Sequence, residues 1–511
     1  MTTKGGEEYS FLILEENLRD LATDSTYLWL ITSEGWLKKF TMDGILVDSI
    51  TDLFSSGWGL TWENDHLWIS DPASDSIFRV KIYQYQDISA DSVKNWMDSE
   101  ASLVILDVRE LYEFESYGRI PGALNMPWNS GVLDTAYTQL SQDDTIIVVC
   151  RSGNRSEQAS IFLDLEGYGN VYNMLGGMNA WHHPVEVGGH VTVNADWDAD
   201  KSPFIAVADI IVDSSGSLTL MPGVNLEFGG FFSLEAYGNI MAQGTVENNI
   251  HFTSHGSLPS GWNGITVNEG SNSSFNYCRI DSSENGIVCF NISPDIENSW
   301  ISGNQTCLSL SGSQANPTVY SCELDGFGSD SSILILCDSS STPYITYCSI
   351  RYGKIGVLAR NGAGPQLNYN NILNNIDYGV LNEDSSLIID AQLNWWGDES
   401  GPFDPLDNPD GQGDKVSQWV DYEPWLNIQV PYICGDSNAD STVSVVDVVH
   451  LINYLFKSGS PPNPLDAGNV NCDGEITIAD VVFLINYIFK FTTSPCDCTE
   501  QEFYLAKPRG I

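Results

Sequence analysis

The sequence predicts a multidomain chain. A partial β-propeller spans 1–83, an α/β domain 84–188, a right-handed parallel β-helix 189–430, and a small all-α pair of loop–helix repeats 431–499, with a tail at 500–511. Three observations predict this. Two continuous apolar runs, LVILDV (103–108) and TIIVVC (145–150), alternate with helical spacing over Ser92–Met97 and Ser156–Leu165, the mark of a parallel sheet covered on both faces. Between His190 and Trp425 short apolar runs recur every 22–26 residues without helical spacing. Near the end, SVVDVVHLINYLFK and TIADVVFLINYIFK are copies offset by 33 residues.

The 511 residues, 42% of them apolar, suffice for several cores. Sixty-eight acids against 21 bases give a net charge of −47, which argues against nucleic acid or an anionic membrane as partner. Such acidity suits divalent cations and an extracellular or cell-surface setting. The start, MTTKGGEEYSFLILEENLRD, carries only Phe11–Leu14 as an apolar run, so no export signal is visible. No run reaches the ~18 apolar residues of a membrane span. Eleven cysteines, an odd number, accommodate one reactive thiol beside buried thiols and bridges.

In the first segment Leu21, Leu28 and Trp29 recur 39 residues later as Leu60, Leu67 and Trp68, with turn signals at Gly44 and Asp71–Pro72. YLWL and HLWISDP resemble the strands of NHL- or YWTD-like propellers. Two blades cannot close a ring that needs at least ~4. The segment is therefore expected to be the end of a longer propeller, with an incomplete N-terminus; a small free-standing sheet is the alternative.

In the α/β domain, TIIVVC runs into CRSGNR (150–155) and then SEQASIFLDL. Cys150 thus stands where a parallel strand gives way to a helix, and loop N–H groups and the positive helix end favour its thiolate. Gly153 permits a tight curl, and Arg151 and Arg155 add positive charge. This loop, with DVRELYEFESYGRIPGALNMP (107–127) and NMLGGMNAW (173–181), resembles the single-domain rhodanese family. The resemblance implies a thiosulfate sulfurtransferase in which Cys150 carries sulfane sulfur as a persulfide. Amides of Arg151, Ser152, Gly153, Asn154 and Arg155 would cradle it, and Asp107 and Arg109 would brace the loop through Arg155. Arg119 stands where the family commonly has His. Four residues separate Cys150 from Arg155, one fewer than in the related phosphatases, which favours sulfur over phosphate.

Within the β-helix, Cys278, Trp300, Cys322, Cys348, Asn371 and Asn394 are read as equivalent, with a second track at Gly286, Gly356 and Gly379. Openings such as LTLMPGVNLEF and the closing NWWGDESGPFDP resemble secreted bacterial β-helix proteins. Asp281, Asp325, Asp377 and Glu383 are expected in turns, with no acid recurring at one coil position, so a binding or scaffold role is favoured over glycan cleavage. The cysteines are expected to stack as buried thiols.

In the last segment Asp436, Asn438, Asp440, Thr442, Ser444 and Asp447 occupy loop positions 1, 3, 5, 7, 9 and 12, and Asn469, Asn471, Asp473, Glu475, Thr477 and Asp480 repeat them. Oxygen donors at this spacing suit two Ca²⁺ ions. The pair resembles a type I dockerin, with Ser441 where Gly is usual and Asn469 where Asp is usual, and Cys434 is expected to pair with Cys496 or Cys498. The resemblance implies a cohesin-like partner, facing Asn453, Lys457, Asn486 and Lys490. The whole reads as a modular extracellular protein with a sulfurtransferase domain, whose partners are a small sulfane-sulfur donor, a thiophilic acceptor, a cohesin-like protein and a glycan. A non-catalytic adhesive scaffold and a polysaccharide-acting β-helix protein are the alternatives.

Overall fold

The computed structural model describes residues 17–490 except 52–56, 64–65, 84, 100–101, 257–260, 431–433, 439–442, 458, 460–461, 463–464, 472 and 474, and also residue 495. The chain divides into two compact units. One runs to Val108 and resumes over Met126–Ala180; the other comprises Arg109–Asn125 and everything from Trp181 onward.

The first unit begins with two antiparallel sheets. Four strands, Leu18–Thr23, Tyr27–Thr32, Leu37–Thr41 and Leu46–Ile50, form one; Gly59–Glu63, His66–Asp71 and Ser76–Lys81 form the other. Alternation buries one face of each, and Ala22, Trp29, Ile31, Leu37, Leu60, Leu67 and Ile69 make a shared core. The buried sets Ala22, Trp29, Ile31 and Leu60, Leu67, Ile69 coincide at an offset of 38 residues. The offset of 39 read from the sequence pairs exposed Leu21 with buried Leu60, because a slip of one residue in a strand exchanges its two faces.

The α/β part of this unit places Leu103–Asp107 beside Thr145–Val149, then Val171–Met174, then Gln86–Ile88, all parallel. Ile146, Ile147, Val148 and Leu106 are fully buried, as continuous apolar strands require. The helix Ala90–Asp98 is capped by Ser89, whose hydroxyl accepts the Ser92 N–H at 3.1 Å. The second helix covers Asn154–Leu165, starting two residues earlier than its apolar spacing indicates.

The second unit is dominated by a parallel β-solenoid with three strands per coil. Its first strand, Val185–Val191, begins inside the segment expected to belong to the α/β domain and pairs with Phe204–Val212. Columns of apolar residues fill the interior: Leu226, Phe252, Ile280, Ile301, Leu324, Ile350 and Ile372 lie in register, one per coil. The expected second track holds, since Ile287, Leu308, Ile335, Val357 and Val380 also stack.

One corner of the solenoid corrects the first track. Tyr277, Asn298, Ser321, Tyr347, Tyr369 and Leu393 all have φ between 46° and 60°. Such a left-handed residue turns the chain sharply and leaves the following N–H without a strand partner. Side chains of the next coil take it up. Cys278 N–H donates to Ser299 Oγ (3.1 Å), Cys322 N–H to Cys348 Sγ (3.4 Å), Cys348 N–H to Asn370 Oδ1 (2.9 Å) and Asn370 N–H to Asn394 Oδ1 (2.8 Å). Ser299 and Asn370, not Trp300 and Asn371, are therefore the equivalents of the cysteines. Cys278, Cys322 and Cys348 are buried free thiols, as expected. Asp281 and Asp325 also differ from expectation: they end the strands Cys278–Asp281 and Glu323–Asp325 and share one register column.

Toward the end of the solenoid Asp414 accepts the Asn375 N–H (3.0 Å) and Nδ2–H (2.7 Å). Burial outweighs these bonds and pushes its carboxyl up to about 6. An acid raised in the folded state binds more protons folded than unfolded between pH ~4 and ~6, so its contribution to stability falls as pH rises through that window. The difference in unfolding free energy between Asp414→Asn and the unchanged chain should thus move in the variant's favour by about 2 kcal/mol from pH 4 to pH 7. Chemical denaturation at the two pH values measures it.

The C-terminal repeats fold as two helices, Val445–Lys457 and Ile478–Lys490. Val448 and Leu451 of the first and Val481 and Leu484 of the second, each pair 33 residues apart, are buried together with Val470. The helices begin two residues before the twelfth loop position. Asp447 reaches back to the Ser444 N–H (2.8 Å) and Asp480 to the Thr477 N–H (2.8 Å), closing each first turn.

Candidate functional site

Cys150 follows the innermost strand Thr145–Val149 and is 1% exposed. Gly153, at φ 104°, curls the loop so that its N–H donates to Cys150 Sγ at 3.1 Å. Ser156, in the first turn of the helix, brings its hydroxyl to 3.4 Å from the same sulfur. Burial acts against the thiolate. The Ser156 hydroxyl and the N–H groups of Ser156, Ser152 and Gly153 outweigh it and hold the thiol below its ordinary range. The solenoid thiols are the reverse case: burial pushes Cys278, Cys289, Cys307 and Cys337 up to about 12. Arg151 and Asn154 are exposed at the loop rim, and Arg155 is half-buried in the first helical turn.

A second segment buttresses the loop from behind. Met178 N–H donates to the Cys150 carbonyl (2.8 Å) and Asn179 N–H to that of Arg151 (3.0 Å). Gly177 makes the approach possible, because a Cβ there would meet the Cys150 carbonyl oxygen and the Arg151 backbone well inside van der Waals contact. The signature NMLGGMNAW therefore accompanies CRSGNR for a steric reason.

Ser156 was not singled out from the sequence, nor were its partners. Its Oγ is 2.7 Å from Asn173 Oδ1, and Asn173 Nδ2–H donates to Asp87 Oδ1 at 2.8 Å. Ser156 and Asn173 are almost fully buried. The only local signal is a hydroxyl three residues after Gly153. Ser156→Ala should slow alkylation of Cys150 by iodoacetamide at pH 7 by roughly 2- to 10-fold, the equivalent of one hydrogen bond, and move the pH profile upward. Peptide mapping of the alkylated cysteine provides the measurement.

Asp107 ends its strand, 1% exposed, and its carbonyl accepts the Met126 N–H at 3.0 Å. In the second unit Arg109, 2% exposed, donates to the carbonyls of Glu113 (3.3 Å) and Gly118 (2.8 Å), bracing the helix Leu111–Ser116. That helix packs on the first solenoid coil: Trp197 Nε1–H donates to the Ser116 carbonyl (2.9 Å) and His190 N–H to Glu115 Oε2 (3.2 Å). Arg119 donates to the Gly188 carbonyl (3.3 Å), and its backbone bridges Glu186. The residue that departs from the family pattern thus holds the solenoid strand.

In the C-terminal loops the twelfth-position carboxylates Asp447 and Asp480 are fully buried, with Asp436 and Asn469 at the first positions almost so. Asp447 Oδ1 accepts the Asn438 N–H and Asp480 Oδ1 the Asn471 N–H, both at 3.2 Å. Asp473 accepts from Asn471 Nδ2–H (2.9 Å) and from the Glu475 N–H (3.0 Å). Ser444 and Thr477 occupy matching ninth positions; Asp440 and Thr442 lie outside the described residues. Every side-chain donor at these positions is an oxygen, the chemistry a hard cation requires. Among the described residues no three His, Cys, Asp or Glu side chains are already gathered around a metal-sized space. Cys434 is disulfide-bonded; Cys496 and Cys498 lie outside the described residues.

A parallel α/β sheet thus delivers a buried, stabilised cysteine into an N–H-lined loop. The rhodanese-like domain model matches residues 89–184, and the dockerin type I domain model matches 434–489. YrkF of Bacillus subtilis, a candidate sulfur carrier protein, is 38% identical over 95 residues, 19% of this chain and 50% of that protein. A sulfurtransferase of Allochromatium vinosum is 32% identical over 95 residues, 19% of this chain and 86% of its own. The thiosulfate sulfurtransferase GlpE of Shewanella oneidensis is 35% identical over 86 residues, 17% of this chain and 82% of its own. Through residues 89–184 the chain belongs to the rhodanese-like family, and it carries a dockerin type I domain near its C-terminus.

Proposed function

We propose that the chain is a modular extracellular or cell-surface protein whose rhodanese-like domain is a sulfurtransferase carrying sulfane sulfur on Cys150. The observation that carries the reading is the set of loop N–H groups around Cys150 Sγ, that of Gly153 at 3.1 Å, with the Ser156 hydroxyl beside them. The thiolate attacks the outer sulfur of thiosulfate; its S–S bond breaks, sulfite leaves with the electron pair, and a Cys150 persulfide remains. A thiophile such as cyanide then takes the outer sulfur and returns the thiolate. Loop amides from Arg151 to Arg155 stabilise the anionic persulfide, Arg151 and Arg155 add charge, and Asp107, beside Val149 in the neighbouring strand, braces the loop through Arg155. Thiocyanate formation by the full chain from thiosulfate and cyanide tests this; a rate equal to the protein-free control defeats it.

The dockerin pair, in this reading, holds two Ca²⁺ ions, one through Asp436, Asn438, Asp440, Thr442, Ser444 and Asp447, the other through Asn469, Asn471, Asp473, Glu475, Thr477 and Asp480. It docks a cohesin-like protein. Exposed apolar residues recur at the 33-residue offset, Val449 with Val482 and Phe456 with Phe489, which supports a duplicated docking face beside Asn453, Lys457, Asn486 and Lys490. The two N-terminal sheets are read as propeller blades, and the solenoid as a right-handed β-helix that binds glycan.

A further inference from the structure

On the outer face of the solenoid, two register columns run side by side. One holds Arg279, Trp300, Glu323 and Ser349; the other holds Asp281, Ser302, Asp325 and Arg351. The Asp281 side chain lies on this face, its Oδ2 2.9 Å from His251 Nε2 and its Oδ1 2.6 Å from Thr253 Oγ1 of the preceding coil. The arginines are held here too, Arg351 Nε–H donating to Asp325 (3.1 Å) and the Arg279 guanidinium 4.3 Å from the centre of the Trp300 ring.

A polar outer face with ion pairs would need no further account if its groups were all satisfied. They are not. Ser302 is fully buried although it sits between two carboxylates on the outward side, and its Oγ has no hydrogen-bond partner among the described residues. Trp300 Nε1 and Ser349 Oγ, in the neighbouring column, are buried and unpartnered in the same way. An orphaned buried polar atom destabilises a fold, and three within three successive coils on one face leave hydrogen-bonding capacity that a ligand would take up. Beside Trp300 lies Phe327, 64% exposed, its ring centre 6.5 Å from that of Trp300 and its edge against Gly303.

The chemistry of the deficit selects the ligand. Trp300 Nε1–H calls for an acceptor and the Ser302 and Ser349 hydroxyls take either, while Asp281, Glu323 and Asp325 are already paired with Arg279 and Arg351. A hydroxyl group supplies both. Carboxylates beside arginines disfavour a strongly charged ligand of either sign, and an exposed aromatic ring suits the C–H face of a pyranose. We propose that this face, centred on Trp300 and Ser302, is a subsite for a neutral, hydroxyl-rich glycan that stacks on the Phe327 ring. The proposal rests on the reading that the solenoid binds glycan and names where.

The full chain is run in native affinity electrophoresis with galactomannan, arabinoxylan, mixed-linkage β-glucan or polygalacturonate in the gel. At least one of the three neutral polymers is expected to retard it. Ser302→Ala and Trp300→Phe, which remove the orphaned groups and keep the packing, should weaken retardation at least tenfold. Tyr344→Ala, on a different solenoid sheet, should leave it unchanged. Ser302→Ala should also unfold at a higher temperature in the absence of glycan, the opposite of what a merely structural serine gives. Undiminished retardation of both variants overturns this face and leaves glycan binding standing. No retardation of the unchanged chain by any neutral polymer, or preference for polygalacturonate, overturns the glycan proposal; total failure to bind any polymer also removes the wider reading.

Discussion

Replacing Cys150 by serine is expected to reduce thiocyanate formation to the uncatalysed background, the largest effect of any single substitution in the chain. Serine preserves the loop's shape, because Gly153 and the Gly177 buttress act on the backbone, and the Gly153 N–H and Ser156 hydroxyl can still approach an oxygen. What disappears is a thiolate stable near neutral pH, together with an S–S bond weak enough to break in the second half-reaction. Among the described residues no other free cysteine can substitute: the solenoid thiols are buried, and four of them are pushed up to about 12. Arg155→Ala should leave measurable activity, since the loop amides remain. Steady-state thiocyanate assays on the three proteins check this ordering; equal activity of the serine variant would remove sulfur transfer from the account.

Chelation of calcium is expected to unfold the C-terminal repeats. Their shared core is small, built on Val448, Leu451, Val470, Val481 and Leu484, and a segment of this size folds securely only with help. Each loop carries carboxylates within twelve residues, Asp436 and Asp447 in the first and Asp473 and Asp480 in the second, and binding at one ion site would draw them together against a repulsion that only a cation offsets. One ion held at a hundred times its dissociation constant adds about 2.7 kcal/mol, so two contribute as much as a marginal domain possesses. EGTA should therefore expose the helices Val445–Lys457 and Ile478–Lys490 to protease and lower helical circular dichroism, with calcium restoring both. Asp436→Ala with Asp480→Ala should reproduce the chelated state. The first loop should bind more tightly, because Asp436 provides a charge that Asn469 lacks. Identical proteolysis with and without chelator, and no calorimetric heat on adding calcium, would show that the loops are solvated turns.

What was legible in the sequence is what depends on neighbours along the chain. The loop from Cys150 to Arg155 is local, and so are the duplicated helices with their twelfth-position aspartates. The polar chain behind the sulfur was not legible, because Ser156 and Asn173 are 17 residues apart and Asn173 and Asp87 are 86 apart, joined only by parallel strand order. Period was easier to read than phase. Trp300 and Asn371 suggest equivalence with Cys278 because large or amide side chains stand out, yet each lies one residue past the corner at Ser299 or Asn370 that receives the neighbouring N–H. The same loss of phase makes 38 look like 39 in the N-terminal sheets. The two outward columns of the solenoid became visible only with register, since Asp281, Ser302 and Asp325 share no common neighbour in sequence.

The corner ladder also makes the solenoid's length adjustable in whole steps. Between Cys278 and Asn394 the corner N–H of a coil goes to a small acceptor on the next, and Ser299, Cys348, Asn370 and Asn394 are interchangeable in that duty. A coil copied or deleted intact leaves every remaining donor with an acceptor and changes the rod by ~4.8 Å, the spacing of neighbouring strands. A single residue lost within a coil instead throws the left-handed corner out of line and orphans the N–H groups on both sides of it. The solenoid is thus a ruler graduated in coils, tolerant of duplication and intolerant of small indels.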